Sequence, residues 1–207
     1  MKHKIAQGEQ ETRIFSAEVR AYTPEGESLP HLTGYGAMFN SRSENLGGFR
    51  EIIKEGAFDE VIDQDVRGFF NHDPNYMLGR TASGTMTLTI DARGLHYDIT
   101  PPDSQTIRDL VLTPMERGDI NQSSFTFIVA RDGDRWYEDE EGIIIREISK
   151  ISRLLDVSPV SIPAYPDTTA ASRGFGDFEK NKQAMTDGLE GQEQRQRRQR
   201  QLFLINK

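Results

Sequence analysis

Apolar side chains in this chain recur mainly at every second position, in short runs cut off by Gly, Pro, Asn and Asp. A period of two places successive residues on opposite faces of an extended strand, so the pattern confines the chain to β-rich folds. Strands are expected over Thr12–Tyr22 and over Leu32–Asn40, where Gly34 and Gly36 suggest a bulge or a close backbone approach. A further strand over Val66–Pro74 closes on Asp-Pro, and Gly94 turns a hairpin between "TMTLTID" and "GLHYDIT". Ser123–Ala130, a polar hairpin around "RDGDRWYEDEEG" and a long extended run from Ile143 to Ile162 complete the set. Helical spacing is clearest in Asp103–Asp119, with Asp103 or Ser104 as cap, Ile107, Leu110 and Val111 on one face, and Pro114 as a kink or stop. A shorter helix is expected near Ala57–Ile62. The sum is a β-rich α+β domain of about eight strands, built as a small β-barrel or barrel-like sheet.

Alternation makes "NQSSFTF" (Asn121–Phe127) informative. Ser123, Phe125, Phe127 and Val129 share one face, which the two phenylalanines mark as the core side. Ser124, Thr126 and Ile128 share the other, so the Ser124 hydroxyl projects away from the core toward a surface open to partners.

The chain has 207 residues, room for one substantial domain and an appendage. It has no cysteine, which excludes a disulfide framework, a thiolate metal site and a cysteine nucleophile, and fits a reducing cytoplasm. No apolar run reaches the roughly 20 residues of a membrane helix, and "MKHKIAQGEQETR" lacks the apolar stretch of a secretory signal. A soluble protein with no membrane partner is expected. The net charge of −8 argues against a nucleic-acid binder. That charge is uneven: residues 176–207 hold seven basic and five acidic side chains, leaving −10 for residues 1–175. The division expected is a flexible N-terminus over 1–11, a domain over 12–175, and a Gln/Arg-rich tail over 176–207, disordered or ending in the docking anchor "LFLI".

Of the four histidines, His72 is placed best for chemistry, where an apolar strand emerges into a turn. Such a residue is held rigidly yet reachable, as a general base must be, although a structural role explains it too. A serine becomes a nucleophile only with a base in reach, and the base works better when a third group orients it. Asp156, between Leu155 and Val157 in a run with no other charge before Asp167, supplies a carboxylate for that task. It can equally be a strand-end residue bonded to nearby backbone. Asp73 beside His72 invites a metal reading, but no HExxH-like spacing exists and no cofactor is implied.

Four segments then carry a resemblance. "GYGAMFNSRSENLGGFREIIKEGAF", "FFNHDPNYMLGRTASGTMTL", "RGDINQSSFTF" and "LLDVSPVSIPAYPDTTAASR", in that order between Thr33 and Arg173, resemble the prohead (capsid maturation) proteases of tailed bacteriophages. The resemblance implies a serine endopeptidase with a barrel and flanking helices, similar to the herpesvirus assemblins. It implies His72 as base, Ser124 as nucleophile in preference to Ser123, and Asp156 as third member, where assemblins carry a second histidine. An oxyanion loop is implied near Ala164–Asp167, and Arg80 is left as a substrate-binding or structural residue. The implied substrate is the scaffolding segment of the major capsid protein, and the enzyme itself, inside a prohead assembling in the bacterial cytoplasm. Portal and prohead components are implied partners, with room for a homo-oligomer. One departure is visible: family members usually read Ser-Phe-Gly-Phe, whereas Thr126 replaces the glycine. That change alone favours the alternative of an inactive relative serving as internal scaffold or assembly chaperone.

Overall fold

A computed structural model describes residues 9–15, 19–161 and 171–187 of the chain. Its strands are β1 (Glu11–Phe15), β2 (Arg20–Tyr22), β3 (His31–Met38), β4 (Phe49–Ile53), β5 (Arg67–Phe70), β6 (Asp73–Arg80), β7 (Met86–Ile90), β8 (Gly94–Ile99), β9 (Gln122–Val129), β10 (Asp134–Glu138), β11 (Ile144–Ile148) and β12 (Ile151–Val160). They form three sheets, ordered β1-β9-β12-β5-β6, β10-β11-β4 and β2-β3-β8-β7. The β-rich expectation holds, but among the described residues none of the sheets closes on itself, so they do not form the expected small, assemblin-like β-barrel. A barrel needs one ladder whose first and last strands pair. Here the sheets meet through side chains instead. A Cβ at Gly68 or Gly79 would lie 2.6 or 2.7 Å from Ile99, so two facing glycines let the β5–β6 hairpin settle directly onto β8. Gly36, at a bulge in β3, brings that strand against Val157 of β12. A shared core results, with Leu32, Leu95, Tyr97, Ile99, Phe125, Phe127, Leu154 and Val157 buried in it.

Gln105–Ile107, the π-helical turn Arg108–Leu112 and Thr113–Glu116 together make helix α1. Ser104 caps it by accepting from the Ile107 amide at 3.3 Å. Proline removes one helical hydrogen bond and crowds the carbonyl four residues back, and the widened turn lies directly before Pro114. The helix expected near Ala57–Ile62 is instead a series of tight turns, bonded from Ala57 to Lys54 and from Val61 to Phe58, that tuck Ala57, Phe58 and Val61 into the core. Residues 171–187 form α2, which crosses the boundary expected at 175/176. Phe175 stacks on Phe49 and lies against Trp136, and Phe178 stacks on Trp136. Residues 1–8 and 188–207 lie outside the described residues.

The first strand is held by buried charge. Arg13 of β1 grips Glu51 of β4 and Glu11, while Arg146 of β11 reaches Glu11 at 2.6 Å, Glu51 at 2.8 Å and Asp134 at 2.6 Å. Arg13, Arg146, Glu11 and Glu51 are all nearly inaccessible. Removing one member of such a cluster strands its partners, at a cost on the order of 3–5 kcal/mol. Burial alone would push the Glu51 carboxyl up, but Arg13 and Arg146 outweigh it and hold the carboxyl below its usual range. The cluster ties β1 to a second sheet while its backbone pairs with β9.

Candidate active site

Strand β9 separates two environments as alternation requires. Phe125 and Phe127 stack at 4.6 Å between ring centroids in the core, and the Ser123 hydroxyl meets the Tyr97 hydroxyl at 2.8 Å on that side. Ser124 and Thr126 face the other way, opposite Ser158 and Asp156 of β12. Simple alternation along "LLDVS" would set Leu154 and Asp156 on one face. A bulge at Leu155 breaks it: Leu154 pairs with Phe127, and Asp156 pairs with Thr126. One extra residue thus turns the Asp156 carboxylate from the core to the site.

His72 arrives from the neighbouring β5–β6 hairpin. Phe70 pairs with Asp73, so Asn71 and His72 form a two-residue turn, with φ of 54° and 58°. Positive φ at both central residues matches the twist of a tight hairpin, and asparagine suits the first position. Histidine at the second carries strain of about 1–3 kcal/mol. The turn is pinned to the end of β12, where the Asn71 amide donates to Pro159 O at 3.1 Å and the Ser161 amide donates to Asn71 Oδ1 at 2.9 Å. The expected strand end at Asp-Pro is therefore displaced: the turn is Asn-His, and Asp73-Pro74 open the edge strand β6, where proline is tolerated.

These placements bring three predicted residues together. His72 Nδ1 lies 2.6 Å from Asp156 Oδ1, and His72 Nε2 lies 2.7 Å from Ser124 Oγ. A carboxylate only accepts, so Nδ1 carries the proton and Nε2 presents its lone pair to the serine. Thr126, which alternation already sets on the Ser124 face, and Ser158, which sequence reasoning missed, complete the cluster. Ser158 Oγ donates to Asp156 Oδ1 at 2.8 Å, and Thr126 Oγ1 sits 3.3 Å from His72 Nδ1. Ser158 was within reach, since it lies two residues beyond Asp156 on the same face.

Other expected features fall elsewhere. Arg80 clasps Asp65 through two bonds of 2.7 and 2.6 Å, and the Asp73 carboxylate takes the amide and side chain of Asn75. Among the described residues no group of three His, Asp or Glu side chains is placed to hold a metal, and no helix is long and apolar enough to cross a membrane. The oxyanion segment Ala164–Asp167 lies outside the described residues. A cavity of about 490 Å³ opens beside His72 and Asp156, walled by Gln10, Thr12, Arg67 and Thr126. Ser124 does not line it and is 0 % exposed, contrary to the open surface expected for its hydroxyl.

A base hydrogen-bonded to a hydroxyl on one nitrogen and to a carboxylate on the other is the arrangement by which serine peptidases make a nucleophile. No curated protein and no solved structure gives a significant match to the chain. Residues 15–182 do match a family model, that of the caudovirus prohead serine protease. Since the match spans most of the chain, including the strands and turn that carry His72, Ser124 and Asp156, the protein belongs to the caudovirus prohead serine protease family.

Proposed function

We propose that the chain is a serine endopeptidase that cleaves the scaffolding segment of the major capsid protein, and itself, inside the assembling prohead. One observation supports the catalytic assignment above others: a single imidazole spans Ser124 and Asp156 at 2.7 and 2.6 Å. Ser124 Oγ attacks the scissile carbonyl as its proton passes to His72 Nε2. The Asp156 carboxylate, held by Ser158, keeps Nδ1 protonated and stabilises the imidazolium. The imidazolium then returns the proton to the leaving amine, and water attacking under the same base releases the acyl group. Enclosure with the substrate in a prohead raises the effective concentration, so a slow peptidase suffices.

The second reading, an inactive internal scaffold or assembly chaperone, draws on the full burial of Ser124 and on Thr126 in the glycine position. A fluorophosphonate probe separates the two. Covalent labelling of Ser124 in the folded chain is expected, and no labelling of the folded protein favours the scaffold.

A further inference from the structure

The nucleophile is sealed by β1. Paired along its length with β9, this strand sets Ile14 opposite Ser124 and Thr12 opposite Thr126. The Ser124 hydroxyl lies 2.9 Å from Arg13 O, so a backbone carbonyl of β1 competes with His72 for the one proton the hydroxyl has. Gln10 and Thr12 continue the cover as a wall of the adjoining cavity. On the far side β9 pairs with β12, so departure of β1 would turn β9 into a free sheet edge beside the nucleophile. A free edge with unpaired amides and carbonyls accepts an extended peptide as an added strand.

We propose that this edge of β9 is the docking site for the substrate backbone, and that β1 is its displaceable intramolecular occupant. The proposal rests on the catalytic reading of Ser124. β1 shows what the site takes. The carbonyl at Ser124 belongs to Arg13, whose guanidinium enters a buried pocket on the Glu51 carboxylate. Once β1 leaves with Glu11 and Arg13, Glu51, Arg146 and Asp134 remain, one negative charge in excess. A replacement strand with a basic side chain at that position balances the pocket, and an acidic one adds to the excess.

The chain has no cysteine, so a crosslink reports cleanly. The full-length variant Thr12→Cys/Thr126→Cys joins residues that face each other across the ladder. Its oxidised form is expected to cleave an extended peptide at least tenfold more slowly than its own reduced form, with full recovery on reduction. Equal rates in the two forms overturn the proposal. Reduced protein is expected to cleave peptides with Arg at the scissile position at least tenfold faster than those with Glu, and equal rates refute the Glu51 pocket. A catalysis-free measurement keeps the occupant role separate from the catalytic reading. In Ser124→Cys the lone thiol is expected to be alkylated in folded protein while β1 amides exchange faster than those of β12. Alkylation only upon global unfolding defeats the displaceable strand, whatever the activity of the wild type.

Discussion

Two histidines in this molecule hold an aspartate in the same way, yet only one is set to take a proton from a hydroxyl. His72 Nδ1 meets Asp156 Oδ1 at 2.6 Å, and His31 Nδ1 meets Asp98 Oδ1 at 2.6 Å. A hydroxyl stands near the second nitrogen in both, Ser124 at 2.7 Å and Thr100 at 3.2 Å. The difference is the remaining partner. His31 Nε2 also faces the Glu27 carboxylate at 3.1 Å, and Asp98 is shared with the Tyr22 hydroxyl. Partial burial would lower the His31 pKa, but the Asp98 and Glu27 carboxylates outweigh it and hold the pKa above its ordinary value. An imidazole donating from both nitrogens to carboxylates has no lone pair to offer. It is a tie between β3 and β8, whereas His72 points its free nitrogen at a serine from a strained turn. A His–Asp pair is therefore not itself a sign of catalysis; what faces the other nitrogen decides.

Breaking each hydroxyl in turn gives the largest contrast. Ser124→Ala is expected to lower processing of a co-expressed capsid precursor by more than about 10⁴-fold. Thr100→Ala should leave processing within about twofold, because no reacting group is lost. Gel analysis of the precursor checks both, with circular dichroism to confirm folding. Normal processing by the Ser124 variant removes the assignment. Asp156→Asn is expected to cost about 10²–10⁴-fold, since an amide no longer fixes the tautomer of His72. Ser158→Ala removes only one hydrogen bond to that carboxylate, so a loss between about twofold and tenfold is expected in the same assay. An unchanged rate in Asp156→Asn would reduce that pair to the structural kind that His31 exemplifies.

The two pairs were unequally legible before the fold was known. His72 and Ser124 could be singled out because a strand end and an alternating strand are local patterns, readable over a few residues. Asp156 stands out by its apolar neighbours, yet strict alternation aims it into the core with Leu154; the bulge at Leu155 that turns it outward leaves no local signal. The burial of Ser124 was not readable either, because the covering strand lies 111 residues earlier and non-local pairing carries no sequence pattern. Strand count was a fair guide to a β-rich fold. It said nothing of closure, which depends on which edges pair and on where glycines such as Gly68 and Gly79 let sheets approach. His31 has Glu27 four residues away in sequence, but its second carboxylate partner, Asp98, comes from a strand that only the fold brings near.

The smallest expected effect concerns stability rather than turnover, and it tests the His31 side of the contrast. A histidine whose folded pKa is raised stabilises the fold fully below its unfolded value, near 6.5, and loses that contribution as pH climbs through the folded value. Wild-type Tm should therefore fall between pH 6.5 and pH values above the raised pKa by more than that of His31→Gln, whose amide cannot titrate. Below pH 6.5 the variant should be the less stable of the two, because Asp98 and Glu27 lose their cation. Processing by His31→Gln, measured at a temperature where both proteins are folded, should keep the wild-type pH profile. If that profile moves while the stability curves stay parallel, the tie and the base have exchanged roles, since only a group acting on the reacting atoms changes turnover without changing the pH dependence of folding.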